Sequence, residues 1–140
     1  MASIDLILQG DNAAQRVTAA AVFEVDAHLT PYQSGDTLNL GYLPARSVID
    51  EIKVIVFTQS DATTSAAQVN IGGQPITAAH DLQVLGCANY KPFGEEAVIG
   101  TAPKLVSVAV TFSGVQEFCS FAVVVTYTEV GRKSGAYNLG

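Results

Sequence analysis

The chain has 140 residues, of which 49% are hydrophobic and only 14% charged, with a formal net charge of −6. That length suffices for one domain with a full core, and the composition excludes disorder, which needs low hydrophobicity and high charge. The seven basic residues are spread along an acidic chain, which excludes a continuous phosphate-binding stripe and predicts no nucleic-acid partner.

Residues 1–16 open with a short apolar patch, Ile4, Leu6, Ile7 and Leu8, followed by Gln9-Gly10-Asp11-Asn12. The patch has no basic head and carries Asp5, so it predicts no signal peptide and synthesis in the cytoplasm. It reads as an edge strand or an arm lying on a neighbour. Residues 17–29 alternate: Phe23, Val25, Ala27 and Leu29 on one face, Glu24, Asp26 and His28 on the other. Residues 30–36 are a turn punctuated by Pro31 and Gly35, and Thr37 to Leu43 a short strand. After Pro44-Ala45-Arg46-Ser47 comes Val48 to Thr58. Its end is apolar on both faces, the pattern of a central strand buried on two sides. Gln59 to Ala67 is a polar loop, Gln68 to Ile71 a strand, and Gly72-Gly73 a hairpin turn. Pro75 to Leu85 reads either as a short helix, with Leu82 and Leu85 inward and Gly86 as its stop, or as a continued strand. Cys87 to Gly94 reads as loop, and Ala97 to Ile99 as a small strand.

The strongest β signal comes last. In Lys104 to Phe112, Val106, Val108, Val110 and Phe112 share a face; in Glu117 to Val130, Cys119, Phe121, Val123, Val125 and Tyr127 do. An even-numbered loop at Ser113-Gly114 joins them with apolar faces matched, which predicts a hairpin. The opposite faces, Ser107, Ala109, Thr111, Ala122, Val124 and Thr126, are short and smooth enough to pack against a partner. Residues 131–140 have no periodicity and read as a tail. The expected architecture is an all-β, single-domain antiparallel sandwich or jelly-roll of seven or eight strands. It comprises an arm (1–16), a β core (17–130) and a tail (131–140).

Constellations for chemistry are weak. Glu24, Asp26 and His28 stand about 6.5–7 Å apart along a strand face, too far to converge on one metal ion; they read as a solvated face. His80-Asp81 with Cys87 lacks any nucleophile signature. Glu95-Glu96 would diverge in a strand, which is wrong for an acid–base pair. Neither an enzyme nor a metal or cofactor site is predicted. Cys87 and Cys119 form no framework and are expected to be free thiols. Low charge on such a chain predicts a surface covered by a partner, and hence a homo-oligomer or assembled subunit.

The segment Leu40-Gly41-Tyr42-Leu43-Pro44-Ala45-Arg46-Ser47-Val48-Ile49-Asp50-Glu51-Ile52-Lys53-Val54-Ile55-Val56, the later Gln68-Val69-Asn70-Ile71-Gly72 and the ending Val124-Val125-Thr126-Tyr127-Thr128-Glu129-Val130-Gly131-Arg132 resemble a pattern in small tailed-bacteriophage virion proteins. There, a Leu-Pro-Ala lead-in opens a long strand, and a polar loop and a second strand ending in Gly follow. Taken alone, the Pro would hold an extended approach to a sheet edge. The resemblance implies a virion component with no catalytic residues, most simply a capsid decoration or cement protein partnered by the major capsid protein. A head-to-tail connector or tail component fits the same resemblance. A carbohydrate-binding surface module is the rival, and would need exposed aromatics. Arms that order on a partner would supply the contacts: Ile4, Leu6, Ile7 and Leu8 at one end, Arg132, Lys133, Tyr137 and Leu139 at the other.

Overall fold

The computed structural model describes residues 17–130, the side chains from Ala19 onward. The arm and the tail, with Ile4, Leu6, Ile7, Leu8, Arg132, Lys133, Tyr137 and Leu139, lie outside the described residues. Ten strands follow in chain order: β1 Val17–Asp26, β2 Thr37–Leu43, β3 Ser47–Thr58, β4 Thr64–Ile71, β5 Gln74–Pro75, β6 His80–Asp81, β7 Gly86–Tyr90, β8 Val98–Ile99, β9 Lys104–Ser113 and β10 Ser120–Glu129. They form two antiparallel sheets. The first has the order β1-β10-β3-β7, with β8 also on β3; the second has β2-β9-β4-β5, with β6 also on β4.

Because β10 holds one side of β3, β7 and β8 share the other, as one interrupted strand. β5 and β6 share a side of β4 in the same way. The sandwich thus has eight strand positions, and most long connections cross between sheets, the jelly-roll arrangement. Alternation explains the core. Val25, Phe121 and Val56 form one cross-strand row in the first sheet, and Leu38, Val108 and Val69 one in the second. Val108, Val69 and Val123 have no exposed surface. Each such side chain contributes about 1.5–3 kcal/mol through burial.

Several expectations need correction. β9 and β10 are not a hairpin: β9 pairs with β2 and β4, and β10 with β1 and β3. Loop parity only requires the two apolar faces to meet. They also meet when the chain arches from one sheet to the other and both faces point into the core. Pro75 to Leu85 is not a helix; Leu82 is fully buried, but Leu85 is 54% exposed. Cys87 to Tyr90 is strand, recruited by the open edge of β3. The polar Thr64 to Ala67 extends β4, pairing with Val110 to Ser113. Leu29 lies in the turn after β1, where Thr30 N donates to Asp26 O at 2.9 Å, and is 77% exposed.

The Leu-Pro-Ala segment carries the chain from the second sheet to β3, an interior strand of the first, not to an edge. Arg46 takes the left-handed region there, with φ 61°. It is held by Arg46 N to Gly100 O and Val130 N to Arg46 O, both 2.8 Å. Gly72 and Gly73, at φ 63° and 83°, make the expected two-residue hairpin turn, the geometry that glycine adopts without strain. Gly41 serves close approach instead. A Cβ there would lie 2.8 Å from Phe23 Cε1, where β1 and β2 meet at the margin of the sandwich.

Candidate assembly surface

The outer faces of the two sheets differ in chemistry. In the second sheet, Asn39, Ser107 and Asn70 align in one row and Thr37, Ala109 and Gln68 in the next, so that face is polar or small. In the first sheet, Val22 and Val124 align beside Lys53, and Ala122 and Ile55 align between Glu24 and Cys87. Phe57 sits at a register shift, since Phe121 pairs with Val56 but Ser120 with Thr58. Such a bulge re-aims a side chain. Val22 is 59% and Phe57 58% exposed, while Ile55 and Val124 are half-buried by their neighbours.

The two-sided apolar pattern of β3 therefore has a different meaning from the one expected. Its position is interior to the sheet, but its outer face has no cover among the described residues. The smooth face read from sequence is split. Ser107, Ala109 and Thr111 belong to the second sheet, and Ala122, Val124 and Thr126 to the first. The apolar side chains on the outer face of the first sheet, Val22, Ile55 and Phe57, are not among the residues that sequence reasoning singled out as contacts. The signal for two of them was the unbroken apolar run Val54-Ile55-Val56-Phe57.

One end of the sandwich is fixed by a polar knot around the β9–β10 crossover. Gln116 Oε1 accepts from Ser60 Oγ at 2.6 Å and Ser65 Oγ at 2.8 Å, and its Nε2 donates to the Tyr32 hydroxyl at 3.0 Å. Asp61 Oδ1 accepts from the backbone N–H of Glu117 at 2.9 Å and Phe118 at 3.1 Å. His28 stacks on Phe118 with centroids 4.9 Å apart. The Phe118 N–H, with that of Glu117, lowers the Asp61 pKa. This contribution is present above the ordinary carboxylate range and is lost as pH falls through the lowered value.

Burial pushes the Cys119 thiol up to about 11, with Asp61 and Asp26 adding, and the Tyr32 phenol up to about 12. Both groups favour the fold while neutral. Their contribution is complete below the ordinary values of 9.0 and 10.0 and declines as pH rises through the folded ones. Melting temperature should therefore begin to fall near pH 9, and Cys119→Ala should move that onset about one unit higher, toward the tyrosine range. A scan of melting temperature from pH 7 to 12 checks this; an onset unmoved by Cys119→Ala rejects the assignment.

Several of the chemical candidates have structural partners. His80 Nδ1 meets the Tyr90 hydroxyl at 3.3 Å, Asp81 Oδ1 accepts from Gln83 N at 2.8 Å, and Cys87 Sγ contacts Asn89 Oδ1 at 3.5 Å. The imagined His80–Cys87 dyad is not formed. Glu95 and Glu96 lie in an exposed 3₁₀ turn, Gly94–Ala97, not in a strand. Asp26 Oδ1 accepts from His28 N at 2.9 Å. No group of three or more metal-ligating side chains gathers among the described residues. Both cysteines are free, Cys87 exposed and Cys119 buried. Tyr32 and Tyr90 are tied inward, leaving Tyr42 exposed on β2. No helix among the described residues is long and apolar enough to cross a membrane.

No family model and no curated protein sequence matches the chain. Solved structures do match its fold. It is similar to a chain of the cyanophage Pam1 capsid asymmetric unit, with TM-score 0.60 and 14% identity over 81% of this chain and 86% of that one. A chain of the Ralstonia phage GP4 capsid gives TM-score 0.58 and 17% identity over 83% and 86%. A chain of the Helicobacter pylori bacteriophage KHP30 capsid gives TM-score 0.57 and 15% identity over 84% and 94%. At these identities the likeness is one of fold.

Proposed function

We propose that the chain is a structural component of a bacteriophage virion, a capsid decoration or cement protein that joins the head through the outer face of its first sheet. The observation that carries this reading is that face: Val22 and Val124 lie in one row beside Lys53, Ile55 in the next row with Glu24, and Phe57 beyond it, with Val22 and Phe57 59% and 58% exposed. Patches of this kind mark interaction surfaces. The fold likeness supports it, because this chain spans 86–94% of the phage capsid chains it resembles. Burial of at least ~1,000 Å² per contact would make the association specific. Binding to the assembled shell alone would then shift equilibrium toward assembly by mass action.

The proposed unit is a β core, 17–130, with contact arms 1–16 and 131–140. Val17 pairs with Glu129, so the described residues begin and end at one corner of the first sheet. Phe57→Glu and Val22→Glu test the face. Both side chains are exposed, so each variant should keep its unfolding free energy within about 0.5 kcal/mol yet lose cosedimentation with heads of the parent phage. Undiminished binding by both variants rejects the face as the contact. Labelling of the tail by an antibody to the chain would favour a connector or tail component.

A further inference from the structure

The two sheets have four edges, and three are blunted against pairing with another chain. β2 has seven residues and a register shift between Asn39 and Gly41. β7 has five residues and β8 two. β5 and β6 have two each, and β5 carries Pro75. Short strands, bulges and prolines are devices that close an edge. β1 has none of them. It runs for ten residues without Pro, Gly, Lys or Arg and pairs with β10 in unbroken register. No strand lies on its other side among the described residues. We infer that this edge pairs with the same edge of a second copy, β1 antiparallel to β1 about a two-fold axis at Val22, so that one sheet continues through both subunits. The inference rests on the reading of the chain as an assembled subunit and names where two copies join.

The backbone has the phase for it. Ala27 N donates to Cys119 O at 2.9 Å, one step beyond the Asp26–Ser120 pair. Bonded and non-bonded pairs alternate along an antiparallel ladder, so the odd-numbered residues of β1 exchange bonds with β10. The even-numbered ones, from Thr18 to Asp26, turn their N–H and C=O groups to the open side. The inward side of β1 is also incomplete. Ala21 and Phe23 are half-buried, whereas Val125 and Val123 beside them on β10 have no exposed surface. A further strand completes that cover.

Charge and size set the register. Centred on Val22, every even residue of β1 meets an even partner: Val22 its own copy, Ala20 Glu24, and Thr18 Asp26. On the inward face Phe23 meets Ala21, large against small. The two copies of Glu24 stand four residues apart, about 14 Å. A centre at Glu24 would set those carboxylates directly opposite, which is destabilising. Val22, 59% exposed in the single chain, gains a cross-strand valine contact. A second copy fits better than a foreign strand. The occupant must itself offer a long, unbulged open edge, and β1 is such a strand. An isologous contact then uses both edges at once and closes.

A cysteine at the axis tests the pairing. In full-length chain carrying Cys87→Ser, Val22→Cys should give a disulfide-linked dimer on non-reducing gels after mild oxidation. A hydrogen-bonded antiparallel pair holds its Cα atoms about 5.5 Å apart, within disulfide range. Ala20→Cys in the same background should stay monomeric there, its two copies being about 14 Å apart. No bridge at Val22, or equal bridging at both positions, overturns the inference. Ala20→Pro gives an independent readout. It removes an N–H that the ladder to β10 does not use, which an edge strand tolerates, and should raise the dimer dissociation constant in sedimentation at least tenfold. Ala21→Pro, whose N–H faces β10, should lower the melting temperature more. A parent that sediments as a monomer at micromolar concentration, or an Ala20→Pro chain that dimerises as tightly as the parent, overturns the pairing. If Ala20→Pro does not fold, the cross-linking comparison decides. A monomeric parent whose head binding is abolished by Phe57→Glu keeps the outer face as a contact and rejects the edge. Val22-linked dimers, with head binding undiminished in Phe57→Glu and Val22→Glu, keep the edge and reject the reading of the face.

Discussion

Phe121→Ala should lower the unfolding free energy by about 3–5 kcal/mol, a large part of the 5–15 kcal/mol typical of a domain. Phe121 is 1% exposed and is the largest fully buried side chain of the sandwich. It lies between Val25 of β1 and Val56 of β3, on an interior strand that cannot close inward without disturbing two neighbours. The cost therefore combines lost transfer free energy with a cavity that relaxes poorly. Urea unfolding of the full chain measures it as a fall in midpoint at constant slope. Phe57→Ala is the matched control. It removes the same ring from an exposed site and should cost well under 1 kcal/mol in the isolated subunit. Equal losses from the two substitutions would mean that the facing of β3 and β10 is wrong.

The contrast between these phenylalanines shows what the sequence made legible. Period two sorted Phe121, Val123 and Val125 from Ala122, Val124 and Thr126, and did the same for β9, because the pleat imposes that period on any half-buried strand. It could not assign the strands to sheets. Parity at Ser113-Gly114 is met equally by a hairpin and by an arch, and the choice rests on tertiary pairing with β2, β4, β1 and β3 that no local pattern encodes. β7 escaped for a similar reason: Gly86-Cys87-Ala88-Asn89-Tyr90 has little strand character of its own and becomes strand by completing the hydrogen bonds of β3. The assembly surface was legible only in part. Val54-Ile55-Val56-Phe57 announced a strand apolar on two sides, but whether the second side meets this chain or another molecule is not a local property.

Gln116→Leu should cost about 3 kcal/mol, although no apolar core atom is lost. The amide joins β4, the loop before it and the turn after β1 by holding Ser60, Ser65 and Tyr32 at 2.6, 2.8 and 3.0 Å. Leucine keeps the volume and removes all three partners. Ser60 and Ser65 are 7% and 6% exposed, so water has little access to replace the bonds. Each buried polar group left unsatisfied costs about 1–3 kcal/mol; the two buried serine hydroxyls supply most of the predicted sum, and the half-buried Tyr32 hydroxyl adds the loss of its bond from Gln116. Ser65→Ala in the Gln116→Leu background discriminates the cause. It removes one stranded hydroxyl and should recover about 1 kcal/mol, whereas in the parent the same substitution should destabilise. That reversal of sign in a double-mutant cycle identifies unsatisfied polar groups as the source of the loss. If Ser65→Ala costs the same in both backgrounds, Gln116 acts by packing, and the crossover from β9 to β10 is held by the Asp61 contacts to Glu117 and Phe118.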